Sequence, residues 1–227
     1  MHKPGTPSWR FGHGDMGYLH SAVRVRDAAG LTVAAADDIP PQLAEPVPDR
    51  HDMLAAGDRT EASRQWVVWW RRLVSQAVRE AQQTWTDPPG DDFESVIRHR
   101  FAGREEVFDP PDFASLADMP PLRSAVRAVF GLPPDRSKSW RRATDYRMFE
   151  PRLVRDAAER AAADLRVPIG AVAGYAHVLE VNGSWWCLAG PGCVLCSPEA
   201  ASDPATAARI LSEVFSSGQS PAEAGPA

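Results

Sequence analysis

Residues 182–197 read NGSWWCLAGPGCVLCS and hold all three cysteines of the chain, Cys187, Cys193 and Cys196. Cys193 and Cys196 have the spacing of a metal knuckle or a redox pair, and His177 lies shortly before that stretch. A knuckle needs a tight turn between its cysteines, and a redox pair needs a helix N-terminus beside it. Val194 and Leu195 instead favour a strand, in which residues three apart point to opposite faces. Asn182-Gly183 is a strong hairpin signal. A two-residue turn there sets Val178 across from Cys187 and His177 across from Leu188, which puts His177 and Cys187 on opposite faces. The expectation is three buried apolar cysteines on two strands turned by 190–192, with no metal and no cofactor. Cys193 and Cys196 are the residues a metal would use.

Three other groups carry chemistry. Gly12-His13-Gly14-Asp15 sets an imidazole and a carboxylate on a glycine loop, with His20 close behind, and such a loop lets substrate approach the backbone. A lone histidine has no assigned partner, however, and turns use the same residues. His20 and the dipeptide His51-Asp52 resemble the metal-dependent phosphohydrolases named for a paired His-Asp. That resemblance covers three residues and implies helices at both places, whereas here His51-Asp52 follows a proline-rich stretch and His20 precedes a segment that reads as a strand. The window 136–155 is locally basic, with Trp140, Arg141, Arg142 and Arg147 in its middle. Arginine interleaved with aromatic residues suits phosphate contact and base stacking; the alternative is a solvated loop whose arginines pair with Asp145 and Glu150. Finally, Trp66, Trp69 and Trp70 are interface-type anchors, although their helical spacing favours a core stripe.

These residues must be positioned by ordinary elements. The chain has 227 residues, 44% apolar and 24% charged, with 21 prolines and a net charge of −5. That length buries a proper core, and the acidic balance argues against a general nucleic-acid coat or a membrane-surface protein. No run is apolar enough to span a membrane, the first residues lack a secretory core, and three cysteines do not make a paired framework. A reduced cytoplasmic setting follows. Only two lysines, Lys3 and Lys138, among 25 basic residues suggest a high-GC bacterial genome.

Segments 21–26 and 31–36 flank Asp27-Ala28-Ala29-Gly30 and read as a hairpin. A helix starting near Asp58, with Glu61 as its capping-box partner, runs to the turn at Asp87. Trp66, Trp69, Trp70, Leu73, Val74, Ala77, Val78, Ala81 and Trp85 fall on one half of it. Arg71, Arg72, Ser75, Gln76 and Arg79 fall on the other, and only Val68 is out of place. Further helices are expected over 93–101, 122–130, 149–165 and 204–215.

The fold class is therefore α+β: an N-terminal hairpin, a largely helical middle, and a C-terminal antiparallel meander closed by a helix. The chain divides into a flexible tail over 1–8, one domain over 9–217 with a possible break near 132–148, and a disordered tail over 218–227. No P-loop, dinucleotide fingerprint, nucleophile elbow or zinc-protease motif occurs. The leading functional reading is an accessory or interaction protein with another protein as its partner. The alternatives are an enzyme using the His13–Asp15 loop and His20, and a nucleic-acid binder using the basic window.

Overall fold

A computed structural model describes residues 8–14, 16–50, 52, 54–86, 103–130 and 148–218. The order is β1 (Arg10–Gly14), α1 (Gly17–Ala28), α2 (Ala56–Thr86), α3 (Pro120–Phe130), α4 (Pro151–Leu165), β2 (Ala173–Val178), β3 (Trp186–Gly190), β4 (Cys193–Cys196), α5 (Pro198–Ser202) and α6 (Pro204–Ser217). One mixed sheet has the order β1-β2-β4-β3, and helices lie on both of its faces. The class is α+β, with the strands at the two ends of the described chain and the helices between and after them.

Helix α2 is the organising element. Trp66, Trp69, Trp70, Leu73, Ala77, Ala81 and Trp85 are buried along its inner stripe. Trp66 and Trp70 stack with ring centres 5.5 Å apart. Each indole N–H of the trio finds a carbonyl on a different segment: Trp66 donates to Ala22 at 2.8 Å, Trp69 to Val107 at 3.0 Å, and Trp70 to Asp38 at 2.8 Å. The three rings thus supply apolar bulk and also staple α1 and two loops to the helix. Asp58 lies within the first turn, since the helix begins at Ala56, and Glu61 receives Arg64 and Gln65 instead of closing a capping box.

The N-terminal hairpin is not formed. Residues 21–26 lie in α1, and 31–36 follow it without regular structure. The string SAVRVR fits a strand alternation, but Tyr18, Leu19, Ala22, Val23 and Arg26 also recur at helical spacing, and all five are buried. Packing against α2 satisfies the helical set at once, whereas a lone hairpin is marginal in water.

The C-terminal strands and their 190–192 turn occur where expected, but they do not form a simple meander. β3 and β4 are antiparallel, with Cys187 opposite Leu195, while β4 lies parallel to β2, with His177 beside Leu195. β1 is also parallel to β2, so the glycine stretch 12–14 forms a strand where its composition suggests a loop. The Asn182-Gly183 turn exists, with Gly183 at φ +74°. Its flanks are claimed elsewhere: Val181 bridges Leu43, Asn182 N donates to the Gln42 carbonyl, and Ala44 N donates to that of Glu180. The slot beside β2 goes to β4 because all four of its residues, CVLC, are buried, which suits a central strand covered on both faces. The half-exposed β3 takes the edge.

One face carries α1, α2 and α3 over a core that includes Leu195. The other carries α4, α5 and α6 over Ala176, Val194 and Cys196. α4 begins at Pro151, and α6 is capped by Asp203, whose carboxylate accepts from Thr206 N at 2.8 Å. The helix expected over 93–101, both chain ends and most of the basic window lie outside the described residues.

Candidate functional site

The candidates read from the sequence are not brought together. His13 is exposed on edge strand β1, against Phe149 with ring centres 5.9 Å apart. Asp15 lies outside the described residues. His20 sits on α1, which packs with α2 over the opposite face of the sheet, so the two imidazoles do not share a site. His20 is therefore helical, not ahead of a strand; His51 lies outside the described residues. The glycines beside His13 have a packing reason. A Cβ on Gly12 would meet Tyr175 Cε2 at 2.8 Å, and one on Gly14 would meet its hydroxyl at 3.0 Å. The Tyr175 ring lying over β1 accounts for both glycines by packing.

Trp140, Arg141, Arg142 and Arg147 lie outside the described residues. Trp66, Trp69 and Trp70 are fully buried in the chain's own core, which corrects their candidacy as partner-binding anchors. Cys193 and Cys196 fall on opposite faces of β4. His177 and Cys187 share a face, because β4 separates their strands and pairs Leu195 with both. The register expected from the hairpin is thus reversed. Among the described residues no group of three or more His, Cys, Asp or Glu is placed to hold a metal. Burial pushes all three thiols up to about 12, which makes them poor nucleophiles.

Sequence reasoning missed a buried polar cluster between α2 and the sheet. Glu80 is completely buried, and Arg104 grips both its oxygens, with Nη2 at 2.7 Å and Nε at 3.1 Å. Gln76 Nε2 donates to the same carboxylate at 3.0 Å. The Arg104 guanidinium also lies over the Tyr18 ring, 5.0 Å from its centre. Nearby, His177 Nε2 donates to the Ala77 carbonyl at 3.2 Å, which assigns its proton, and Nδ1 has no partner among the described residues. Burial lowers the His177 pKa to about 4, against the opposing pull of the Ala77 bond and the Glu80 charge, so the ring is neutral. Gln76, Glu80 and His177 have no exposed surface, and no substrate reaches them from solvent. The cluster's effect is mechanical: through Arg104 it fixes the segment 103–108.

That segment forms one wall of an open groove on the outside of α2. The groove, of about 460 Å³, is lined by Val68, Arg71, Arg72, Ser75, Arg79 and Val107. At 100° per residue, Val68, Arg72, Ser75 and Arg79 fall within about 60° of one another, directly opposite the tryptophan stripe, with Arg71 flanking them. Val68, the single mismatch in the amphipathic pattern, is 46% exposed. Val107 is held in place by Trp69, whose indole donates to the Val107 carbonyl, and by Arg104 three residues before it. Buried tryptophan and buried carboxylate therefore shape the groove from beneath.

The lining holds three guanidinium groups and no carboxylate. Arg71 reaches exposed Asp38 at 3.0 Å, Arg72 reaches exposed Asp118 at 3.8 Å, and Arg79 bonds Gln76. Such solvent-exposed pairs contribute about 0–1 kcal/mol, so another carboxylate exchanges for them at little cost. The signal was present in the sequence as Val68 among arginines. Its meaning required knowing that Val68 stays exposed beside Val107 once the chain is folded.

Two other clefts offer less chemistry. One of about 580 Å³ beside α1 contains Arg26 and Asp27, but both are engaged in holding residues 40–43: Arg26 donates to the Pro41 carbonyl at 2.7 Å, and Asp27 accepts from Leu43 N at 2.8 Å. Another of about 680 Å³, between α4 and the α5–α6 corner, is mainly apolar, with Glu150 and Ser202 at its rim. No protein family, curated protein or solved structure matches this chain.

Proposed function

We propose that this is a non-catalytic interaction protein that docks another protein along the outer groove of α2. The observation that carries this reading is Val68, an exposed apolar residue set in an arginine stripe on a helix whose opposite side is buried in the core. A rigid, pre-positioned helix face needs little ordering on binding, which favours recognition. An apolar contact ringed by arginines is a common composition for the centre of an interface. The three unpaired cysteines fit a reducing, cytoplasmic setting, and among the described residues no helix is long and apolar enough to cross a membrane.

The test is affinity capture from the native organism with the wild-type chain and the double variant V68D/R72E in parallel. Both positions face solvent, so far-ultraviolet circular dichroism and the unfolding midpoint should be unchanged. The expected outcome is a stoichiometric partner retained by the wild type and lost by the variant. An identical set of retained proteins on both would overturn the assignment to this groove.

A further inference from the structure

We infer that the partner segment on this groove is an amphipathic acidic helix. The inference rests on the docking reading above and adds the chemistry and conformation of what docks.

The argument begins with spacing. Val68, Arg72, Ser75 and Arg79 are separated by four, three and four residues. This is the alternation with which one helix presents a continuous stripe to another, as in the seam of a coiled coil. From Val68 to Arg79 the stripe runs for about 16 Å at 1.5 Å per residue, or three turns. An extended peptide advances about 3.3 Å per residue with alternating faces and meets such a stripe only at scattered points. A second helix matches it turn for turn.

Charge selects the composition. Arg72 and Arg79 lie a full heptad apart, and the groove lining holds no acidic residue, in a chain whose net charge is −5. A matching helix places an apolar side chain over Val68 and Val107, a carboxylate four residues away opposite Arg72, and a second carboxylate seven residues further opposite Arg79. The fork geometry of guanidinium suits bidentate capture of each carboxylate. Serine at position 75, between the two arginines, is small enough to let the partner backbone approach.

The experiment uses the full chain and a fluorescein-labelled, helix-favouring peptide of eighteen residues, capped at both ends. It carries leucine at one position and glutamate four and eleven residues later. Fluorescence anisotropy compares it with a scrambled peptide of the same composition, with a single-stranded oligonucleotide, and with a peptide bearing lysine at the two glutamate positions. The expected result is binding about tenfold tighter than the scrambled peptide, given a few-fold for each exposed ion pair plus the apolar contact. Binding should be lost in R72E/R79E and recovered there by the lysine peptide. Equal binding of the scrambled sequence overturns the inference by showing that charge alone is read. Tighter binding of the oligonucleotide overturns it in favour of a nucleic-acid surface. Absence of binding by every probe also overturns it, and if V68D/R72E still loses a captured protein, docking stands while the acidic helix is excluded.

Discussion

Replacing Arg104 by methionine should be the most destabilising change at the groove's foundation. The Glu80 side chain has no solvent exposure, while that of Arg104 is 29% exposed. Methionine keeps most of the stem volume but removes both contacts to the carboxylate, at 2.7 and 3.1 Å, while the Gln76 contact remains. Breaking a buried pair by deleting one partner costs about 3–5 kcal/mol, because an uncompensated charge stays in the interior. Water that already reaches one end of Arg104 places this case near the lower figure. With a urea slope of about 2–3 kcal/mol/M, the unfolding midpoint should fall by about 1 M. The reverse change, Glu80→Met, leaves a cation that can turn toward solvent and should cost less. The double variant E80M/R104M should be more stable than R104M alone. Eight tryptophans, four of them buried along α2, make intrinsic fluorescence a sufficient probe. An R104M midpoint within about 0.3 M of wild type would refute the reasoning, as would a double variant weaker than R104M.

His177 supplies a pH dependence whose sign is fixed. Its folded pKa of about 4 lies below the usual value of 6.5, so the unfolded chain binds the proton first, and stability is present above pH 6.5 and lost as pH falls toward 4. The full span is roughly 3 kcal/mol; urea titrations at pH 7 and 4.5 on wild type and His177→Leu should show a markedly smaller loss in the variant, and equal losses would contradict the assignment. The thiols offer a second check: with pKa values of about 12, only about one thiol in ten thousand is ionised at pH 8, so Ellman's reagent should modify the native protein slowly and report three thiols at once in denaturant. A fast native phase would show that one of them is not held as described.

Local order determined a good part of this molecule. The period of α2 was legible from its tryptophans and arginines, because a helix turns at a fixed angle and a core-facing stripe must recur with it. Pro120-Pro121 and Pro204 marked the approach to two helices by their missing N–H and fixed φ, whereas the helix expected from 149 begins at Pro151, and 190–192 marked the turn between two strands. The opposite aim of Cys193 and Cys196 likewise followed from strand geometry alone. What the sequence left open was every choice between partners. SAVRVR satisfies two periods, and only the inner face of α2 makes the helical one win. Asn182-Gly183 turns the chain, yet β4 takes the place beside β2, since its four buried residues need cover on both faces whereas β3 tolerates an edge. Strand β1 was invisible because its glycines encode the Tyr175 ring lying above them, a contact made across more than 160 residues. The same holds for the groove. Val68 is an anomaly of pattern in the sequence and part of a groove only in three dimensions, where Trp69 and Arg104 hold Val107 across from it. Periodicity is a property of one segment, whereas burial and cavity shape belong to pairs of segments brought together by the fold.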